Sequence, residues 1–334
     1  MYRIHGLSAR GLVARGLVAR GLVAGLIGMA TLAAPVQAQQ YPSQAVKIVV
    51  PFGAGSITDN LARILADKLG QVWKQQVIVE NRPGLPGTTG VAKADKDGYT
   101  IMMTSNGHTV ARTINKNVSF DPAADFSGIT RVVETPFTMI VPPDLPAKTL
   151  KEFIDLAKKE PGKYNYSSAG VASSTFLVSE SFRQAAGINL VHVPFKGVPE
   201  AVTAALRGDV AFYFSPVTDA KEQTEGGKVR SLAVTAPQRL KQVPNIPTVS
   251  EAGVPGWSGN GWFGLMAPAG TPRPVIDKIN SDVTAILKMQ DVIERIEKLG
   301  SQPAPNTPAQ FDALIKADIE KNAALMKAAG VEAK

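Results

Sequence analysis

Two loops that combine glycine with hydroxyl side chains could hold an anion. The first reads Pro-Phe-Gly-Ala-Gly-Ser-Ile-Thr-Asp at residues 51–59, and the second reads Ser-Ser-Ala-Gly-Val-Ala-Ser-Ser-Thr at residues 167–175. Each stands between a run typical of a strand and a segment with helical spacing. Glycine lets the backbone approach a ligand closely, and the start of a helix presents N–H groups at its positive end. Two such loops facing each other would hold an anion without a buried Arg or Lys.

The same residues allow helix capping as well, and they give weaker evidence for dinucleotide binding and for hydrolysis. Ser56, Thr58 and Asp59 could cap the following helix instead of contacting a ligand, and both interpretations stay open. Gly53-x-Gly55 imitates half of a dinucleotide fingerprint, but Thr58 occupies the place of the third glycine. A Gly-x-Ser-x-Gly elbow is absent, and no His accompanies an obvious nucleophile motif. We therefore expect no catalytic residue and no cofactor.

The composition limits the class of protein further. Cysteine is absent, which removes disulfides, thiolate nucleophiles and Cys-ligated zinc. His108 and His192 leave few ligands for a transition metal, so we expect no metal site. The net charge of +8 includes four arginines of the first 20 residues, and the rest of the chain has no dense basic block. Nucleic acid is therefore not an expected partner.

The first 38 residues are typical of a signal peptide. Arg3, Arg10, Arg15 and Arg20 precede an uncharged stretch that ends in Ala-Pro-Val-Gln-Ala at 34–38. We expect cleavage after Ala38, since the apolar run is short and glycine-rich for a membrane span. The expected product is exported to the periplasm and remains free in solution, because it has no Cys to carry a lipid anchor.

The remaining chain alternates apolar strand runs with amphipathic helices, which predicts an α/β fold with mainly parallel sheets. Pro-rich passages near 135–146 and 243–272 interrupt this alternation. Three helices without a strand run end the chain, so we expect the tail to pack on the first sheet. The prediction is a two-lobe clamshell with two crossing strands as its hinge: a signal peptide at 1–38, lobe 1 at 39–138 and 263–334, and lobe 2 at 139–262. A cleft between α/β lobes is a common ligand site.

Several segments, in this order and spacing, resemble the substrate-binding proteins of tripartite tricarboxylate transporters, also called the Bug family. They are Tyr-Pro at 41–42, Ile-Val-Val-Pro-Phe at 48–52, Val-Glu-Asn-Arg-Pro-Gly at 79–84, Asp-Gly-Tyr-Thr at 97–100, Tyr-Asn-Tyr-Ser-Ser-Ala-Gly at 164–170, His-Val-Pro-Phe-Lys-Gly at 192–197, Pro-Thr-Val-Ser-Glu-Ala-Gly at 247–253 and Trp-Phe-Gly-Leu-Met-Ala-Pro-Ala-Gly-Thr-Pro at 262–272. The resemblance implies a periplasmic receptor that holds a carboxylate mainly by backbone amides, hydroxyls and waters.

The resemblance also implies which positions contact the ligand. In lobe 1 they are Phe52, Gly53, Gly55, Ser56, Asp59, Ser105 and His108. In lobe 2 they are Ser168, Gly170, Ser173, Ser174 and, as a weaker candidate, Lys196.

The chain departs from the family pattern at three positions of lobe 2. Ala172 replaces a usual glycine, Phe176 replaces a usual His, and Ser215 replaces an acidic residue that can bind a ligand amine. Phe176 either lines the site or packs as core, and both remain open. These departures favour a dicarboxylate or an aromatic acid over an amino acid.

The resemblance implies partners as well. A monomeric receptor would deliver its small carboxylate to a large and a small integral membrane subunit. The alternative is a solute sensor that reports to a two-component membrane kinase without transport.

Overall fold

The computed structural model describes residues 41–333. The predicted signal peptide and its cleavage site lie outside these residues. The chain divides into two compact units at Ser43, and of the first unit only residues 41–43, which form neither helix nor strand, are described. The architecture below concerns the second unit, from Gln44 onward.

One mixed sheet of six strands forms the first lobe. Its strands are β1 (Val46–Val50), β2 (Val77–Asn81), β3 (Thr100–Ser105), β4 (Phe126–Thr135), β10 (Gly261–Pro268) and β11 (Gln302–Pro303). Their order is β11-β4-β10-β3-β1-β2, in which β1 pairs parallel with β2 and β3, and the other three pairings are antiparallel.

Two smaller sheets form the second lobe. An antiparallel sheet has the order β8-β5-β9, with β5 (Phe137–Val141), β8 (Tyr213–Pro216) and β9 (Arg230–Val234). A parallel pair joins β6 (Asn165–Ser168) to β7 (Val191–Pro194), and a parallel bridge from Tyr166 to Phe212 sets β6 beside β8. The α/β fold is thus confirmed, but the sheets are mixed and not mainly parallel. The antiparallel pairs involve the returning strands β4, β5, β10 and β11.

Helices cover these sheets. They are α1 (Ile57–Trp73), α2 (Leu85–Ala92), a 3-10 helix (Asn106–Val110), α3 (Ala111–Ile114), α4 (Leu150–Lys159), α5 (Ser174–Ala186), α6 (Val198–Arg207), α7 (Val217–Glu225), α8 (Val249–Ala252), α9 (Arg273–Ile286), α10 (Gln290–Lys298) and α11 (Pro308–Ala328). None of these helices is both long and apolar enough to cross a bilayer.

The core of the second lobe extends into the C-terminal helix. Phe176 and Phe182 of α5 pack with Phe212 of the neighbouring Phe212–Phe214 segment, and the same cluster contains Leu325 and Met326 of α11. Since α11 also packs on β4 of the first sheet, the tail contacts both lobes. The prediction that the tail packs on the first sheet is therefore incomplete, because the tail also contacts the second lobe. The short strand β11 was not predicted.

The chain changes sheet at Pro136 and again just before Gly261. Phe137 and Thr138 already pair in the three-stranded sheet, whereas Trp262 pairs with Glu134 in the six-stranded sheet. The predicted lobe boundaries lie about two residues beyond these changes, because the crossing segments are extended chain on both sides and no turn marks the transition. Thr235 ties the crossings together: its hydroxyl accepts from the Phe137 N–H (2.9 Å), and its carbonyl accepts from the Gly259 N–H (3.0 Å).

Candidate functional site

The first loop, between β1 and α1, is held by side chains that the sequence offered as ligand contacts. Asp59 is 2% exposed, and its carboxylate accepts from the Gly55 N–H (2.9 Å) and from Asn81 Nδ2 (3.0 Å). Arg63 Nη2 lies 3.0 Å from the same carboxylate. Burial pushes the pKa of Asp59 upward, but the hydrogen bonds from Arg63, Gly55 and Asn81 outweigh it and hold the pKa below its ordinary value. Asp59 therefore shapes the loop.

The amides that remain in this loop have no acceptor. Ser56 is the N-cap of α1, and its hydroxyl accepts from the Asp59 N–H (3.2 Å). Within residues 44–333 the N–H groups of Gly53, Ala54, Ile57 and Thr58 find no protein acceptor. Gly53 and Gly55 are exposed, Gly55 has φ +80°, and Phe52 is half-buried, with its carbonyl accepting from Asn81 (3.2 Å). Exposed donors at a helix start suit an anion.

The second loop, between β6 and α5, repeats this arrangement with hydroxyls. The Gly170 N–H donates to Ser168 Oγ (3.2 Å), and the Ala169 N–H donates to Thr175 Oγ1 (3.1 Å). Ser173 caps α5 by accepting from the Phe176 N–H (3.2 Å), and its hydroxyl donates to the Gly170 carbonyl (2.6 Å). These bonds hold Gly170 at φ +102°, where a side chain would be strained. The hydroxyls of Ser168 and Ser173 thus fix the loop.

Four amides of this second loop remain unpaired. The N–H groups of Val171, Ala172, Ser174 and Thr175 find no acceptor in the described part of the chain. Together with the four in the first loop they form two groups of backbone donors at the starts of α1 and α5. Among residues 41–333, the ion pair of Arg63 with Asp59 is the only one that involves a residue of either loop.

A third loop contacts the second loop and begins near the first. It follows β3, which lies beside β1, so it starts at the same sheet edge as the first loop. Ser174 Oγ of the second lobe donates to Asn106 Oδ1 (2.5 Å). A Cβ on Gly107 would lie 2.1 Å from the Ala172 carbonyl oxygen, so the two backbones are in direct contact there. Ser105 Oγ accepts from the Gly107 N–H (3.3 Å) and supports the turn.

Two of the predicted contact residues are interior residues. His108 is buried, its Nε2 lies 2.9 Å from the Pro122 carbonyl, and its ring packs on Phe120 and Phe126. Burial lowers the pKa of His108 to about 4, although Pro122 and Asp121 oppose the shift. Phe176 is 1% exposed within the lobe 2 core, which decides between its two interpretations in favour of core. Phe176 is thus a core residue, and the ligand contact predicted for His108 stays a prediction, because the resemblance that marked both positions does not tell which side of a loop faces inward.

His192 connects the second loop to the core. Its Nε2 lies 2.7 Å from Ser168 Oγ, and its ring packs against Tyr166 (5.0 Å) and Phe176 (4.6 Å). Burial lowers the pKa of His192 to about 4, against the opposing charge of Glu180. A neutral ring can accept the Ser168 O–H while the same oxygen accepts from Gly170. His192 therefore orients the loop through Ser168.

Of the last two predicted contacts, Lys196 follows β7 and Ser215 lies within β8. Lys196 is exposed, and its backbone N–H donates to the Glu200 carboxylate (3.1 Å). Ser215 is 1% exposed, and its Oγ has no hydrogen-bond partner, like that of Thr138, its register partner on β5. Ser215 carries no charge that would meet an ammonium group.

The sequence did not reveal four residues that hold the loops in place, namely Arg63, Asn81, Asn106 and Thr175. Asn81 belongs to the segment at 79–84, and Asn106 lies between two residues, Ser105 and His108, that the resemblance had marked. No group of three or more His, Cys, Asp or Glu side chains among the described residues could hold a metal ion.

The sequence pattern of the tripartite tricarboxylate transporter family receptors matches residues 61–331. The chain belongs to this family. BugT of Bordetella pertussis is 30% identical to this receptor over 313 residues, which are 92% of this chain and 96% of BugT. The solved structure of the periplasmic binding protein BugD is 35% identical and superposes with a TM-score of 0.73, covering 88% of this chain and all (100%) of BugD.

A second solved structure, R. palustris Rpa4515 with adipate, is 30% identical to this receptor. Its TM-score is 0.76, and the match covers 88% of this chain and 100% of that one. The expected Bug-type identity and the two-lobe α/β fold are therefore confirmed. The receptor is a periplasmic solute-binding protein and not an enzyme.

Proposed function

We propose that the unpaired amides at the starts of α1 and α5 bind a carboxylate of the solute from both lobes. The observation that carries this proposal is the double set of four backbone donors, each at a helix N-terminus and each left without a protein acceptor. Helix N-termini favour negative charge, and the third loop holds the two lobes close together. In this arrangement the ligand, with its waters, completes the hydrogen bonding of both loops.

The ligand class is a dicarboxylate or an aromatic acid without an essential amine. Ser215 is uncharged at the position where an acidic residue would be needed for an ammonium group. An unpaired buried charge is costly, so an amino acid lacks its partner. The adipate held by the R. palustris relative supports the dicarboxylate. Phe176, as a core residue, no longer contributes to an apolar wall, whereas Ala172 is exposed and still does.

The receptor then delivers its carboxylate to the large and small membrane subunits of a tripartite transporter. Export precedes this role, with cleavage after Ala38. Delivery requires that lobe 2 move about the crossings at Pro136 and Gly261 when ligand binds, because contacts from both lobes favour the closed state. The intact mass of the protein in a periplasmic extract tests the cleavage, and a protein that retains residues 1–38 would contradict it.

The ligand is tested with adipate, its diamide, 2-aminoadipate and benzoate. Thermal shift should separate binders from the others, since a ligand at about 100 times its Kd adds about 2.7 kcal/mol to the free energy of unfolding. Calorimetric titration then gives the Kd of each binder. We expect adipate or benzoate to bind and the diamide not to bind. Binding of the diamide or of 2-aminoadipate alone would overturn the proposed ligand class.

A further inference from the structure

Asn106 occupies a special place in the site, because it is the side chain through which the first lobe reaches the start of α5. It is 5% exposed, and its Oδ1 accepts from Ser174 Oγ (2.5 Å). Ser174 is the first residue of α5, and its N–H is one of the unpaired amides of the second loop. Asn106 therefore lies beside the donors of lobe 2 while it belongs to lobe 1.

The backbone around Asn106 is fixed from behind. The Asn106 carbonyl accepts from Thr109 Oγ1 (2.7 Å), and Thr109 Oγ1 in turn accepts from Asn322 Nδ2 of α11 (2.9 Å). Thr109 and Asn322 are both buried. This chain of bonds gives the Asn106 side chain little freedom to turn away, so its amide has a defined direction.

The second half of the Asn106 amide is unused. Nδ2 donates to no acceptor within residues 44–333. It is also not among the fully buried side-chain atoms without a partner, so it retains contact with open space. A buried amide normally uses its donors, so an unused one calls for an acceptor.

We propose that Asn106 is a specificity-determining residue that binds a ligand carboxylate through Nδ2 while Oδ1 holds Ser174. This inference rests on the proposed function, because the acceptor it supplies is the carboxylate placed between the two loops. A neutral amide can perform both tasks at once, since it carries an acceptor and two donors on one planar group. The residue would thus recognise the anion and the closed lobe arrangement together.

The experiment compares variants by calorimetric titration with adipate or, if only benzoate binds, with benzoate. Asn106→Asp keeps the acceptor for the Ser174 hydroxyl but replaces the Nδ2 donor by a second acceptor. Asn106→Ala removes both groups, and Ser174→Ala removes only the bond between the lobes. Asn117→Asp makes the same chemical change at an exposed position near the same loop and serves as the control.

We expect Asn106→Asp to weaken binding about 10- to 100-fold, Asn106→Ala about tenfold and Ser174→Ala about fivefold. Asn117→Asp should bind like the wild type. The new charge in Asn106→Asp also repels an anion, so the comparison of Asn106→Ala with Ser174→Ala is the decisive one. If Asn106 only joined the lobes, Asn106→Ala would bind like Ser174→Ala, and this result would overturn the inference. A wild type that binds no member of the panel would overturn the proposed function, and this inference with it.

A crystal structure of the wild type with the same acid gives a measurement that does not depend on the folding of a variant. A carboxylate oxygen within about 3.2 Å of Nδ2 supports the inference. A bound acid whose carboxylates lie beyond hydrogen-bond distance of Asn106 overturns it, even if the variants lose affinity.

Discussion

The carboxylate of Asp59 accepts a hydrogen bond from the backbone N–H of Gly55, four residues earlier, at 2.9 Å. This bond turns the first loop back onto the start of α1. It leaves the neighbouring amides of Gly53 and Ala54 pointing to no acceptor. The loop is therefore organised by an acidic side chain although its expected ligand is an anion.

Asp59→Asn should reduce both stability and binding. The substituted amide cannot accept from Gly55, Asn81 and Arg63 as two carboxylate oxygens do, so we expect a loss of about 1–3 kcal/mol in the free energy of unfolding. The affinity for the bound acid should fall by more than about tenfold. Urea unfolding and calorimetry measure the two effects. Asp67→Asn on the same helix is the control, because its exposed pair with Arg295 contributes about 1 kcal/mol at most.

Gly53→Ala should separate binding from stability. A Cβ at Gly53 meets no atom within 4 Å, so the free energy of unfolding should change by less than about 0.5 kcal/mol. The added methyl would nevertheless stand where the backbone receives the carboxylate, and binding should weaken. A Gly53→Ala protein with unchanged affinity would contradict the proposal that the backbone N–H groups of the first loop bind the carboxylate.

Gly107→Ala tests the contact between the lobes. The new Cβ would lie 2.1 Å from the Ala172 carbonyl oxygen, and neither backbone can yield easily. We expect lost binding and a larger radius of gyration by small-angle scattering in the presence of adipate. An unchanged radius would mean that the lobes do not separate at this point.

Two buried threonines on either side of the crossing at Pro136 should respond in opposite ways to replacement by valine. Thr135 Oγ1 lies 2.7 Å from Ser301 Oγ, so Thr135→Val strands a buried hydroxyl and should cost about 1–3 kcal/mol. Thr138 Oγ1 has no partner, so Thr138→Val should be neutral or stabilising by about 1 kcal/mol. Denaturant midpoints measure both. A destabilised Thr138→Val would indicate an ordered water between Thr138 and Ser215.

The histidines predict a loss of stability in mild acid. The pKa of His108 in the folded protein is about 4, below its ordinary value of 6.5. Between these two pH values, His108 is protonated in the unfolded chain but neutral in the folded chain. The free energy of unfolding therefore falls as the pH drops from about 7 to 4, and the contribution of this group to that loss is about 3 kcal/mol. His108→Gln should flatten this dependence in urea titrations. A His108 ring that titrates near pH 6.5 by NMR would contradict the assignment.

Local signals in the sequence predicted most helices well. Helical spacing predicts helices at 150–159 and 174–186, and α4 and α5 have these bounds. Both begin directly after Thr149 and Ser173, whose hydroxyls accept from the third helical N–H. The apolar run at 210–214 predicts a strand there, whereas β8 begins only at Tyr213, because the run starts before the strand does. The antiparallel pairing of β10 with β3 and β4 joins segments more than 100 residues apart and leaves no local trace.

The two loops were predictable in position but not in detail. Glycine and hydroxyl residues after a strand predict both loops, and the structure places them between β1 and α1 and between β6 and α5. They could not tell that Ser56, Asp59, Ser168 and Ser173 bond within their own loops, because the same residue types serve capping and ligand contact. Asn106 was missed because its role arises from Ser174, 68 residues away and in the other lobe.

The hydroxyl bonds of the second loop have a consequence for how the ligand specificity of this receptor can change. The hydroxyls of Ser168, Ser173 and Thr175 form hydrogen bonds that hold the loop backbone in its conformation. In the proposed site, the free backbone N–H groups then bind the carboxylate. Substitutions elsewhere in the site that leave these hydroxyl bonds intact would change the space around the rest of the solute. They would not change the backbone N–H groups proposed to bind its carboxylate. One scaffold can then move among acids of different length and bulk while its hold on the shared functional group stays the same.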